Sequence, residues 1–499
     1  MSFLKKLAGD AVLYGMSTIV GRLLNWLMVV VYTRSFGAEG GPLAENGEFY
    51  ALMIPLGVIY TFGMETAFFR FASKKENQRE YFNLILTFIF ILGATLSGVI
   101  IFFATPISLA LNFPHTEHLI TLLALILLTD AVCAIAFVKL RANNRAKKFV
   151  AIKLLNILIT ILVTMFFIYV CQGIITDRFL PEYKDLVSGF YTLENGPDYI
   201  IFANYVASLL TLLMLWKEFV GFKPLWTFPK LKVVLNYAWP LMIMGLAGSI
   251  NLTADRLLFR RFLPVGFYPE YPAVDAAYGI YTQVYKLSIF MALVVQAYRY
   301  AAEPLFFSKM GDKNSPAMIA LSTKWFTIAC IFIWLAVSIN LNWISLLLGE
   351  SYRYGLYVVP VLLLANLFIG LYGNLTIWFK LSDQTQYGTY ITLGAMLITV
   401  IMNVLLIPVW GFLGCAVAFA TSSGLMVVAC YFLGQKYYPI PYETGRVLFY
   451  LVVAAAIIWG YSFVDSSQIL RSILLQGLLC AVFMALIYGM EKKKPGATG

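Results

Sequence analysis

Apolar residues in this chain come in long blocks, not in the every-other-residue alternation of a half-buried strand. Runs of 18 to 26 residues dominated by Leu, Ile, Val, Phe and Ala are separated by short polar segments. About 20 helical residues cross a hydrocarbon core of ~30 Å, so each block predicts a membrane-spanning helix. Fourteen are expected, at 11–34, 49–71, 81–104, 118–138, 150–171, 198–216, 235–259, 276–301, 323–341, 354–379, 387–407, 411–434, 446–463 and 469–488. The connecting segments are short except 172–197, which is rich in Asp, Glu, Gly and Pro. None is long enough for a separate soluble domain.

Composition agrees with the pattern. The 499 residues are 61% hydrophobic and only 12% charged, against ~25% charged in soluble domains, and mean hydropathy is +0.81. The expected fold class is an all-α polytopic membrane protein. The net charge of +11 would suggest nucleic acid only if the cations clustered on a water-exposed domain; here they lie in the loops. With the N-terminus in the cytoplasm, 24 of the 36 Lys and Arg fall on the inner side, 7 on the outer side and five within spans. Positive charge accumulates on the cytoplasmic face, so both termini are expected inside. The inner group includes Lys139, Arg141, Arg145, Lys147, Lys148 and Lys153 between spans 4 and 5, and Lys324 at the start of span 9. The N-terminal stretch, MSFLKKLAGDAVLYGMSTIV, has no small-residue cleavage site after its apolar run and reads as a retained first helix.

Several chemistries find no support. The six Cys show no ligand spacing, and His115 and His118 share one loop without a Cys partner, so neither a metal site nor a disulfide is expected. There is no GxxxxGK[ST] loop for ATP and no Ser/His or metal-carboxylate constellation. The chain reads as non-enzymatic and without a cofactor.

Span 2 opens Gly47-Glu48-Phe49-Tyr50 and closes Phe71-Ala72-Ser73-Lys74, while span 8 opens Gly279-Ile280-Tyr281 and closes Phe306-Phe307-Ser308-Lys309. Lys139-Leu140 and Lys380-Leu381 close spans 4 and 10. The offsets, 235 and 241 residues, suggest two copies of a six-helix unit. Six is even, so the copies run parallel about an axis along the membrane normal. The expected division is an N-lobe at 1–220, a C-lobe at 221–437, and two further helices with a cytoplasmic tail at 438–499.

The charges inside spans are the candidates for function. A Lys or Arg at the bilayer centre costs roughly 2.5–3.5 kcal/mol on insertion scales, so Arg22, Arg256, Lys286 and Arg299 are expected to face a wet cavity or a partner. They are the candidate contacts to an anionic substrate: Arg offers a bidentate fork to phosphate oxygens and Lys a point charge. Glu65, Asp130 and Asp255 are candidates for ion coupling or for internal pairing. Sequence neighbours on a helix point to different faces, so Asp255 and Arg256 are not expected to satisfy each other. Helical spacing puts Thr18, Arg22 and Asn25 on one face, as it does Gly57, Thr61 and Glu65; Tyr278, Thr282 and Lys286; and Asn366, Gly370 and Asn374. Pro55, Pro240 and Pro360 lie inside spans and are expected to bend them.

Certain words look like those of the Wzx-type polysaccharide flippases. They are Tyr32-Thr33-Arg34-Ser35-Phe36-Gly37 closing span 1, Glu65-Thr66-Ala67-Phe68-Phe69-Arg70-Phe71 closing span 2, and Asp255-Arg256 near the end of span 7. Tyr278-Gly279-Ile280-Tyr281, Glu303-Pro304-Leu305-Phe306 and the stretch Asn403 to Gly414 (NVLLIPVWGFLG) follow in order. Over essentially its whole length the chain resembles that branch of the multidrug/oligosaccharidyl-lipid/polysaccharide (MOP) exporter superfamily. The resemblance implies a flippase of the bacterial inner membrane that moves undecaprenyl-pyrophosphate-linked oligosaccharide units outward by alternating access, with a cationic central cavity for the pyrophosphate. It implies that the last two helices help to form a groove for the polyprenyl tail, and that the partners are the lipid-linked oligosaccharide, the bilayer, a polysaccharide polymerase and glycosyltransferases, not nucleic acid. A MurJ-type lipid II flippase is the alternative with the same span count, and a non-transport component of the polysaccharide machinery is the alternative of another class.

Overall fold

The computed structural model describes residues 2–72, 75–143, 145–308, 315–382, 384, 386–464 and 469–492, and the side chains of these except 2–14, 16–18, 75–76, 300–308, 380–381 and 469–470. Thr18, Glu303 and the closing Lys74 and Lys309 of the repeat words therefore lie outside the described side chains. Every regular element among the described residues is helical. Among the described residues twelve helices are long and apolar enough to cross a membrane, and a shorter apolar helix spans Asp198–Met214.

In chain order the main helices are α1 (Ser2–Ser35), α2 (Ala44–Thr61), α3 (Met64–Phe71), α4 (Lys75–Phe102), α5 (Glu117–Ala142), α6 (Ala146–Met165), α7 (Asp198–Met214) and α8 (Phe228–Phe262). Then come α9 (Val274–Tyr285), α10 (Ile289–Ser308), α11 (Ser315–Ile339), α12 (Val359–Leu375), α13 (Gln386–Trp410), α14 (Phe412–Tyr437), α15 (Thr444–Tyr461) and α16 (Ile469–Lys492). They form two compact units, one of residues 1–261 with 268–279, the other of 262–267 with 280–499.

In the first unit α5 is the central post: α2, α3, α4 and α7 pack on it, and α6 bridges α1 and α7. Lipid tails are as apolar as Leu, so close packing and buried hydrogen bonds, not burial from water, hold such helices together. One buried relay joins three of them: the Tyr60 hydroxyl lies 3.0 Å from Ser97 Oγ, which donates to the Ala124 carbonyl at 2.9 Å. At the foot of the same unit Glu218, whose side chain is only 4% exposed, takes Lys148 at 2.6 Å and Arg145 at 3.3 Å. The second unit is built on α12 packed against α10, α11 and α14. Lys324 of α11 binds Glu491 of α16 at 2.6 Å and Glu443, just ahead of α15, at 3.3 Å. Those pairs fasten the two last helices to α11. The charge pattern places Lys324 with the inner-loop cations; the structure buries it inside the helix that starts at Ser315.

Large apolar side chains on the outside, such as Phe102, Trp459 and Leu474, are exposed, as lipid-facing surfaces require. The breaks within spans lie elsewhere than at the prolines. Pro55 and Pro240 sit within unbroken helices. Pro360 stands in the first turn of α12, where a missing N–H breaks no helical bond. The second span is instead interrupted at Phe62 and Gly63, which take φ of 49° and 69°. That turn separates Glu65 from Gly57 and Thr61, so the three do not share one continuous helical face. Span 8 changes to a 3-10 segment at Lys286–Ser288, between α9 and α10.

Candidate functional site

The charged residues singled out by depth fall in both units. In the first, Gly21 of α1 lies so close to α6 that an added Cβ would sit 2.4 Å from the Ile157 side chain. The next residue, Arg22, and Asn25 one turn on are exposed. Asp255 is buried and Arg256 half-buried on α8. The expectation that these two neighbours ignore each other is corrected: Asp255 Oδ1 accepts the backbone N–H of Arg256 at 2.8 Å and faces its Nε at 3.4 Å. The Arg stem is long enough to fold back along the helix, and its terminal nitrogen also reaches the Leu252 carbonyl. In the second unit, Lys286, first residue of the 3-10 segment, is half-buried and donates back to Gln283 Oε1 of α9 at 2.9 Å. Thr282, on the same expected face, is buried, and so is Tyr278 in the first unit. Arg299 is exposed beside Gly373. Of the third expected stripe, Asn374 and Gly370 are buried, and Asn366 bonds its own helix at the Leu362 carbonyl.

Glu65 and Asp130 turn out to have cationic neighbours that chain order hides. Glu65, half-buried in the first turn of α3, feels the charges of Arg141 and Lys153, and Asp130 feels Lys153. Each cation is held over an aromatic ring, Lys153 Nζ at 4.4 Å from the Phe137 centroid and Arg141 at 5.0 Å from that of Phe69, a geometry that restrains a long side chain. Charge pattern alone assigns Lys153 to the inner loop. It lies two turns inside α6, and with Asp130 it lines a polar cavity of about 180 Å³. Asn156, Asn204, Ser208 and Thr211 complete the polar part of that wall. The missed signal is spacing: Lys153, Asn156 and Thr160 recur at three and four along α6, as do Asn204, Ser208 and Thr211 along α7.

Arg260, one turn beyond Arg256 in the last turn of α8, is structural. It binds Asp275 at 2.6 Å and the Leu111 carbonyl at 2.6 Å, and its guanidinium lies 3.7 Å from the Phe113 ring centroid. Among the described residues no group of three His, Cys, Asp or Glu is placed to hold a metal ion.

The fold is shared with several solved structures. The lipid II flippase MurJ, in an inward closed conformation, superposes with a TM-score of 0.71 at 15% identity, covering 97% of this chain and 100% of its own. The MATE multidrug transporter DinF-BH gives 0.58 at 16% identity, covering 87% and 95%. An inward-facing multidrug resistance MATE transporter of the MOP superfamily gives 0.56 at 13% identity, covering 83% and 94%. Residues 51–176 match the family described as "Polysaccharide biosynthesis protein". No curated protein matches the chain by sequence. The chain thus reads as a multi-pass membrane protein that shares its fold with these solved structures, and α5 with most of its packing partners lies in the segment that resembles polysaccharide biosynthesis proteins.

Proposed function

We propose that this protein is a flippase of the bacterial inner membrane that carries undecaprenyl-pyrophosphate-linked oligosaccharide units to the outer leaflet for polysaccharide assembly. The observation that carries the reading is the polysaccharide family match over 51–176 within a chain that has a flippase fold along 97% of its length. In this reading the chain crosses the membrane fourteen times with both termini in the cytoplasm, α1 and α7 supplying the crossings beyond the twelve long apolar helices. Arg22, Arg256, Lys286 and Arg299 supply the positive charge that accepts the diphosphate, and transport proceeds by alternating access. The protein does no covalent chemistry on its cargo; a polymerase and glycosyltransferases act before and after it.

Movement of a lipid-linked peptidoglycan precursor is the second reading, favoured by the 0.71 TM-score to the lipid II flippase. One pair of strains separates the two. The gene is expressed in cells that lack their own oligosaccharide flippase and accumulate lipid-linked repeat units, and in cells depleted of their peptidoglycan flippase. Restored surface polysaccharide in the first, with lysis continuing in the second, is the expected result. Rescue of the depleted cells alone would overturn the oligosaccharide assignment.

A further inference from the structure

The polar cavity of the first unit is larger and chemically richer than a structural ion pair needs. We propose that it is a sugar subsite that receives one neutral monosaccharide of the transported glycan. Only the source of that sugar depends on the flippase reading above.

Size is the first argument. The cavity measures about 180 Å³, where ~10–15 Å³ suffices for one water. A bare cation would rattle in it. Charge is the second. The wall carries one carboxylate, Asp130, and one ammonium, Lys153. The lysine repels a metal cation and the aspartate repels an anion, so a neutral guest with many hydroxyls fits best. Polar groups are the third. Asn156 donates an N–H to Thr211 Oγ1 at 2.9 Å, and Asn204 donates one to the Ile200 carbonyl at 2.8 Å. Both amides are thereby fixed, and each keeps its carbonyl oxygen as an acceptor. Two such amides, a carboxylate beside Ser208 and a lysine make alternating acceptors and donors of the kind that pair with vicinal hydroxyls. Met53, Ile126 and Phe137 form the apolar part of the wall, suited to the C–H face of a pyranose.

The pocket also has a mouth and a floor. Asp130 and Lys153 are exposed, whereas Ser208 and Thr211 are 5% and 4% exposed. An aspartate and a lysine at this depth are costly in lipid, so the open side is wet. The amides are locked before any guest arrives, which limits the ordering cost of binding.

The test uses the purified full chain in lipid nanodiscs and a panel of methyl glycosides covering neutral hexoses, 6-deoxyhexoses and N-acetylhexosamines. At saturation, at least one class should raise Tm by about 1–3 °C. Asn156→Leu and Ser208→Val should lose that rise, read in each case against the variant's own sugar-free Tm. The proposal is overturned if no glycoside shifts Tm, if both variants keep the shift, or if exchanging potassium for sodium produces the shift and sugars do not. A glycoside that binds through Asn156 and Ser208 in a protein that fails the strain test would leave the subsite standing and remove the flippase assignment. Success in the strain test without glycoside binding would do the reverse.

Discussion

Single residues divide here by exposure. Arg260, Glu218 and Lys324 each have strong partners at 2.6 Å and serve packing. Arg22 and Arg299 are exposed at positions where lipid contact is costly, and Lys286 sits at a local break in its helix. Replacing Arg22 or Lys286 by Ala should abolish glycan export while the protein stays abundant in the membrane. Loss of a charged contact to phosphate is worth about 1.5–3 kcal/mol, or roughly 10- to 100-fold in affinity. Quantified surface polysaccharide against immunoblotted membrane protein reads the effect, with Arg22→Lys intermediate because it keeps charge and loses the fork. Normal export by both Ala variants would show that these cations do not touch cargo. Charge at depth was legible from the sequence because it violates the apolar pattern. Lys153 was not, since seven residues into a helix that follows a basic loop it looks like one more loop cation. The Asp255–Arg256 contact was missed because helical geometry was applied to Cβ directions and not to the reach of an arginine.

At the scale of elements, the long apolar blocks were legible, and their breaks were not. Hydropathy reports length and composition; it carries no information about a two-residue turn inside a span. Pro55 and Pro240 lie within α2 and α8, which continue past them. The actual break uses Phe62 and Gly63 in left-handed conformation, and α8 passes so near that a Cβ on Gly63 would lie 2.8 Å from the Ala238 carbonyl. Gly63→Val therefore meets a backbone atom, and a β-substituted residue at positive φ costs about 1–2 kcal/mol more. The expected outcome is a Tm lowered by several degrees in detergent and reduced membrane yield; an unchanged Tm would mean that α8 and the α2–α3 turn do not approach as described. Gly414 is a parallel case, because its Cβ would stand 2.4 Å from the Leu406 carbonyl oxygen. The Gly-x-x-Gly word between α13 and α14 thus has a packing reason in this chain: Gly411 supplies a φ of 54° with ψ of −123°, and Gly414 lets the helices meet.

For the whole molecule, the distribution of Lys and Arg is the most global statement the sequence makes, and the orientation expected from it covers every helix at once. The 24-to-7 split assigns the segment 172–197 to the outer side and the segment between α5 and α6 to the inner side. The chain is well suited to a direct test because five of its six cysteines are buried and Cys480 is half-buried, which keeps background thiol reactivity low. Ser188 and Lys147 are both exposed and lie on opposite sides by the charge argument. A cysteine introduced by Ser188→Cys should react with a membrane-impermeant maleimide in intact spheroplasts. One introduced by Lys147→Cys should react only after the membrane is opened. Equal labelling of both in intact cells would indicate leaky membranes and is excluded by a cytoplasmic marker protein in the same sample. The reverse pattern would invert the protein, put the basic segments outside, and turn the proposed direction of transport around; with it would go the idea that a diphosphate enters from the side where its lipid carrier is loaded.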